Sequence, residues 1–226
     1  QIELEARFAS ILMTGFRGTG KTSLLMACHQ KLAEAGYQVI YTNAEADYLV
    51  NPYEELAIND VLLVSAMTIV DNGLGPSYVR RLWEDIKSLG GAQVIPEGVE
   101  VEAGAATFKA TLERVPALHE RLRTYALERS LYEQVSKLIL DAQGEVKRRG
   151  RRGMVLIIDS LDHLSDPPGK DGTPVTDSVL RVLREAPELR RLDVHLILTI
   201  PPTVLPYAHD LRADLLARGV SSLRGH

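Results

Sequence analysis

A chain of 226 residues, 45% hydrophobic and 25% charged, has an ordinary globular balance and enough apolar content for one good core. Its formal net charge of −4 excludes a global polycation, so nucleic acid could be met only through a local basic patch. The single cysteine, Cys28, excludes an internal disulfide and fits a reducing, cytoplasmic compartment, while the six histidines show no zinc spacing.

The first element predicted is a short apolar strand, Ile11–Thr14 (ILMT). It runs into GFRGTGKT, Gly15–Thr22, and then into SLLMACHQKLAEAG, whose apolar positions recur at helical spacing and stop at Gly36. Tyr37–Ala44 (YQVIYTNA) is a second β-rich run, and Asn51-Pro52 breaks the chain after it, which completes a strand-helix-strand unit. Residues 53–150 are dominated by helical patterning and read as a helical insertion, with a glycine-rich surface loop at 90–106. The longest apolar stretch, Val61–Val70, is far short of the ~20 residues needed to cross a bilayer, so no membrane span is expected. GMVLIIDS, ending the strand at Asp159, is a continuous aliphatic run suited to a parallel strand covered on both faces, and Val194–Ile200 repeats the pattern. Prolines 201, 202 and 206 end that strand, and AHDLRADLLARG after them predicts a helix.

GFRGTGKT fits the phosphate-loop pattern of glycine, four residues, then Gly-Lys-Ser/Thr. The glycines let successive backbone N–H groups turn inward around phosphate oxygens, and the helix that follows presents its positive dipole end to the same anion. Gly15, Phe16, Arg17, Gly18, Thr19, Gly20, Lys21, Thr22 and Ser23 are therefore the candidate nucleotide-binding residues. Lys21 would bridge the β- and γ-phosphates, Thr22 would ligate Mg²⁺, and Asp159 would hold the metal shell from the opposite side. ATP is expected over GTP, because no Asn/Thr-Lys-x-Asp stretch is present to read guanine. GLG at 73–75 is no dinucleotide fingerprint, since no strand runs directly into it.

LIIDSLDHL, Leu156–Leu164, resembles the second nucleotide motif of the STAND class of P-loop ATPases, signal-transducing enzymes that include the NACHT proteins and belong to the wider AAA+ group. In that class the magnesium Asp is followed by a small residue, an apolar residue and a second Asp, usually then Glu. Ser160, Leu161 and Asp162 match, and His163 stands where the final Glu would be. The resemblance covers the phosphate loop, this strand and the strand HLILTIPP, which is similar to the sensor strand of these ATPases; the helical insertion matches nothing. It implies Mg²⁺ held by Thr22 and Asp159, with Asp162 orienting or deprotonating the attacking water and Thr199 hydrogen-bonding the γ-phosphate or that water. It implies slow hydrolysis by a switch whose nucleotide state controls oligomerisation or an attached effector, of the kind found in bacterial signalling and defence.

Plainer readings stand beside these. Asp162 also suits a helix N-cap, Thr199 a β-branched strand residue, and His163 a structural histidine. STAND proteins commonly carry an arginine shortly after the sensor strand, where Ile200, Pro201 and Pro202 follow here, so an arginine from a neighbouring subunit, Arg212 or Arg218, would have to supply that charge. KRRGRR, with Lys147, Arg148, Arg149, Arg151 and Arg152, either grips nucleic-acid phosphates or closes a helix C-terminus, where positive charge complements the dipole. The first option corresponds to an alternative function, an AAA+ ATPase acting on nucleic acid as origin-recognition or transposition-regulator proteins do. A small-molecule kinase and a purely structural nucleotide-binding role are the remaining classes.

The expected fold is an α/β three-layer sandwich with a parallel sheet, carrying the ligand at the carboxyl ends of its strands and the insertion between the second and third strands. The resemblance gives the strand order 5-1-4-3-2, with a fifth strand near 219–223 or beyond the chain. Because the sequence begins at Gln1, residues 1–226 are expected to be a P-loop ATPase domain cut from a longer protein, with a lid and sensor domain following.

Overall fold

Branched aliphatic runs that bury both faces are better parallel strands than helices, and two of the four described strands are such runs. The structure, a computed structural model, describes residues 8–16, 18–44, 56–75, 78, 81, 130–161, 176–185, 189 and 191–207. Strands β1 (Ser10–Thr14), β2 (Gln38–Asn43), β3 (Met154–Asp159) and β4 (His195–Ile200) form one sheet in the order β1-β4-β3-β2, with every pairing parallel. All residues of β3 and β4 are buried, whereas the flanking strands β1 and β2 keep partly exposed positions. The fifth strand, expected near 219–223 or beyond the chain, lies outside the described residues.

Helices cover both faces. On one, α1 (Lys21–Glu34) sets Leu25 and Leu32 against Ile11, Met13, Val39, Val155, Ile157 and Ile197. On the other, α2 (Ile58–Asp71), α3 (Ser130–Arg148) and α4 (Thr176–Glu185) pack over Ile40, Leu156, Ile158, Leu196 and Leu198. The β1-to-β2 connection crosses the sheet one way and β2-β3-β4 returns the other way, so a single crossover hand requires helices on opposite faces. This is α/β architecture with the layering of a three-layer sandwich.

The apolar stretch 61–70 is a core helix. Every residue of α2 from Asn59 to Val70 is buried. Its hydroxyls turn inward on the helix itself, Ser65 Oγ donating to Val61 O at 2.7 Å and Thr68 Oγ1 to Val64 O at 2.7 Å. The Asp60 carboxylate reaches back to accept the Ala57 N–H at 2.8 Å and so caps the first turn. Both described helices of the 53–150 segment, α2 and α3, pack directly on the sheet; the glycine-rich loop at 90–106 lies outside the described residues. Among the described residues no helix is long and apolar enough to cross a membrane.

At the amino edge of the sheet, α3 is tied to two strands by one side chain. Gln143 is buried; its Oε1 accepts the Met154 N–H at 3.2 Å and its Nε2 donates to Asp193 O at 3.0 Å. His195 is also buried there, its Nδ1 accepting the Ala9 N–H at 3.1 Å and its ring meeting Phe8 and Tyr37 edge-on. Burial holds the His195 pKa below the usual histidine value. Accepting an N–H at Nδ1 demands the same neutral form.

Candidate nucleotide site

The loop between β1 and α1 is shaped by its glycines. A Cβ on Gly15 would stand 2.9 Å from Thr19 Oγ1, so a side chain there would push that hydroxyl off its bond to Phe16 O. Gly20 is the N-cap of α1 at φ 81, a left-handed conformation that turns the chain sharply into the helix. Among the described residues no side chain caps that helix end, and no acid occupies its first turn.

Inside the loop one carbonyl collects three donors. Phe16 O accepts Thr19 N at 3.2 Å, Thr19 Oγ1 at 2.7 Å and Lys21 Nζ at 2.9 Å. Lys21 Nζ donates in addition to Gly15 O at 2.8 Å, which arches the ammonium back over the loop. Phe16 contributes its backbone, its ring being 75% exposed. Gly18, Ser23 and the rest of the predicted set are placed on this loop and the first turn of α1, except Arg17, which lies outside the described residues.

Side-chain alternation along the strands brings the second half of the site to the same face. On β3, Val155 and Ile157 face α1, so Asp159 does too, at the carboxyl end of the strand. Its side chain is fully enclosed by donors. Thr22 Oγ1 donates to Asp159 Oδ2 at 2.8 Å, Tyr41 OH donates to the same oxygen at 3.0 Å, and the Ser160 N–H donates to Oδ1 at 2.8 Å. The structure thus brings together Lys21, Thr22 and Asp159, residues that sequence reasoning grouped by motif alone. Tyr41 was not among them. Its signal is its parity with Val39 on β2, but that becomes informative only once β2 is known to neighbour β3 in the register Tyr41↔Ile157.

Ser160 has a left-handed backbone, φ 69, alone among the described non-glycine residues. Such a conformation costs roughly 1–3 kcal/mol for an ordinary side chain. It turns the chain away from the strand direction directly after Asp159 and aims the Ser160 amide back at the Asp159 carboxylate. The strain arises at the Cβ, so any residue other than glycine meets it here.

Thr199 sits on β4, beside Met13 of β1 in register, and is completely buried. Its hydroxyl has no hydrogen-bond partner among the described residues, and the same is true of Thr14 at the end of β1. An orphaned buried hydroxyl costs about 1–3 kcal/mol, so two at one edge need a reason. Asp162, His163, Arg212 and Arg218 lie outside the described residues.

The donor set Thr22 and Asp159 is made of hard oxygens, which fits Mg²⁺ carried in by phosphates. Among the described residues no group of three or more His, Cys, Asp or Glu side chains is arranged to hold a metal by itself. The basic cluster lies elsewhere. Lys147 and Arg148 close α3, and the turn after it is sealed by Gly150 N to Lys147 O at 2.9 Å and Arg151 N to Val146 O at 3.1 Å, the hydrogen bonds of a Schellman end. Arg148 and Arg149 both pair with Glu145, at 2.7 and 3.0 Å, and the Arg152 guanidinium lies 5.2 Å over the Tyr37 ring. These contacts are at the amino edge, a strand length or about 20 Å from the phosphate loop.

No protein-family model matches the chain, and no curated protein is significantly similar to it in sequence.

Proposed function

We propose that this chain is a P-loop ATPase that binds Mg²⁺-ATP at Gly15–Thr22 and hydrolyses it slowly, as a STAND-like switch whose nucleotide state controls oligomerisation or an attached effector. One observation carries the reading: Thr22 and Asp159, which are 137 positions apart, meet at 2.8 Å beside the loop that holds the Lys21 ammonium. Chance rarely places a hydroxyl, a carboxylate and an ammonium at the carboxyl edge of a parallel sheet, where ligands of such folds bind.

In this reading a triphosphate competes with the Gly15 and Phe16 carbonyls for the Lys21 donors and takes the loop amides and the uncapped end of α1. Thr22 and Asp159 hold the metal, which supplies charge neutralisation between the phosphates. The Thr199 hydroxyl finds there the acceptor it otherwise lacks, in the γ-phosphate or the attacking water. Asp162, three positions past Asp159, orients that water. Hydrolysis is slow because the turn at Ser160 leaves no carboxylate directly after Asp159, and because the sensor strand ends in Pro201 and Pro202 without an arginine. Loss of the γ-phosphate contacts releases one arrangement of domains or subunits.

Titration calorimetry with Mg²⁺-ATP tests this. Binding is expected in the wild type and a loss of affinity of at least ~100-fold in Lys21→Ala, with melting temperature unchanged. Steady-state turnover, measured across protein concentrations, should be slow and should drop again in Asp162→Ala. A folded wild type that gives no heat with Mg²⁺-ATP overturns the proposal.

A further inference from the structure

We propose that Tyr41 is a positioning residue for the metal-holding carboxylate: its phenol fixes Asp159 Oδ2 from β2, wherever the metal draws Thr22. The inference rests on the nucleotide reading above and names a residue that the phosphate-loop and magnesium motifs do not contain.

Asp159 Oδ2 accepts two hydrogen bonds, from Thr22 Oγ1 at 2.8 Å and from Tyr41 OH at 3.0 Å. A threonine hydroxyl that ligates a cation through a lone pair keeps its proton for an acceptor on the side away from the metal, so Thr22 can go on donating to Asp159, but its position then follows the metal. The Tyr41 phenol on Oδ2 and the Ser160 N–H on Oδ1, at 2.8 Å, are held by the protein alone. Two donors on opposite oxygens fix the plane of a carboxylate, and this pair does so wherever the metal draws Thr22.

Tyr41 is built for this task. Its ring is anchored among the apolar side chains beneath α1, its backbone is locked in the β2–β3 ladder opposite Ile157, and only its tip reaches the site. A rigid aromatic stem with a polar end holds a hydrogen bond at little cost in conformational freedom. Groups that orient a metal ligand from behind in this way typically contribute 10–100-fold in metal affinity or activity.

Tyr41→Phe keeps the ring and removes the hydroxyl, so the fold should hold; a thermal melt checks this. Nucleotide binding is then measured by calorimetry with a non-hydrolysable ATP analogue, once in excess EDTA and once as a Mg²⁺ titration. Wild type and Tyr41→Phe should bind the metal-free analogue within about twofold of each other, since the loop amides and Lys21 set that affinity. The Mg²⁺ concentration giving half the metal-dependent gain should rise about tenfold in Tyr41→Phe. An unchanged Mg²⁺ midpoint overturns the role of Tyr41 and leaves the nucleotide reading standing. Equal loss with and without Mg²⁺ also overturns it, because that is what a merely structural tyrosine would do. A wild type that binds the analogue under neither condition removes the nucleotide reading and this inference with it.

Discussion

At the amino edge of the sheet, Gln143 uses both halves of its amide on the main chain, His195 accepts the Ala9 N–H, and Arg152 lies on Tyr37. At the carboxyl edge of the same four strands, the hydroxyls of Thr14 and Thr199 are buried without a partner among the described residues, Ser160 is held in a left-handed turn, and the first helix is uncapped. Both edges belong to the same strands and draw on the same cores, so local packing quality does not account for the contrast. One edge satisfies its polar groups internally and serves stability. The other holds two hydroxyls in reserve, without a partner among the described residues and at a cost in stability.

The contrast makes testable statements. Gln143→Ala, at the satisfied edge, should have the largest effect on folding: it strands the Met154 N–H and the Asp193 carbonyl, and unfolding free energy in a urea titration should fall by about 2–4 kcal/mol, with nucleotide affinity of the folded fraction unchanged. Thr199→Val should do the reverse. Removing a buried hydroxyl that has no partner should raise stability by about 1 kcal/mol, while turnover in a phosphate-release assay falls roughly tenfold, as loss of one transition-state hydrogen bond predicts. If Thr199→Val is less stable than wild type, the reserve interpretation fails.

A pH titration probes the satisfied edge more gently. The folded His195 pKa lies below the unfolded value, so below about 6.5 the unfolded chain takes up a proton that the folded one resists. Stability should therefore decline as pH falls through that point, with a slope no steeper than about 1.4 kcal/mol per pH unit from this one group. It should level off once the folded pKa is passed. His195→Gln should flatten the decline; a wild type whose urea midpoint does not move between neutral pH and pH 5 would contradict it. The smallest effect belongs to Ser160→Gly. Glycine adopts the left-handed turn without strain but adds disorder to the unfolded chain, so the net gain should stay below about 1 kcal/mol. Thermal denaturation of the pair measures it.

Much of this was legible in the residues themselves. The aliphatic runs ending in Thr14, Asp159 and Ile200 announced parallel strands, and GFRGTGKT, set between a strand and a helix, announced a glycine turn. Those signals are local, because chain geometry over a few residues decides them. Tyr41 was illegible for the opposite reason. A tyrosine in a β-rich run looks like any packed aromatic until the sheet order puts β2 against β3 and register brings its hydroxyl to Asp159. The double role of KRRGRR was likewise open, since five closely spaced cations look the same whether they meet a polyanion or close a helix. The pairing of Arg148 and Arg149 with Glu145 and the stacking of Arg152 give three of them structural contacts.

β1 and β3 are not neighbours in the sheet: β4, the last of the described strands, lies between them. A nascent polypeptide can join β2 to β3 as soon as residue 159 is out of the ribosome, yet β1, with residues 15–22 at its end, has no partner among the described strands until residue 200 follows. Contacts this distant in sequence form slowly. The loop at 15–22 therefore gains its place on the sheet only after β4 is made, long after its own synthesis.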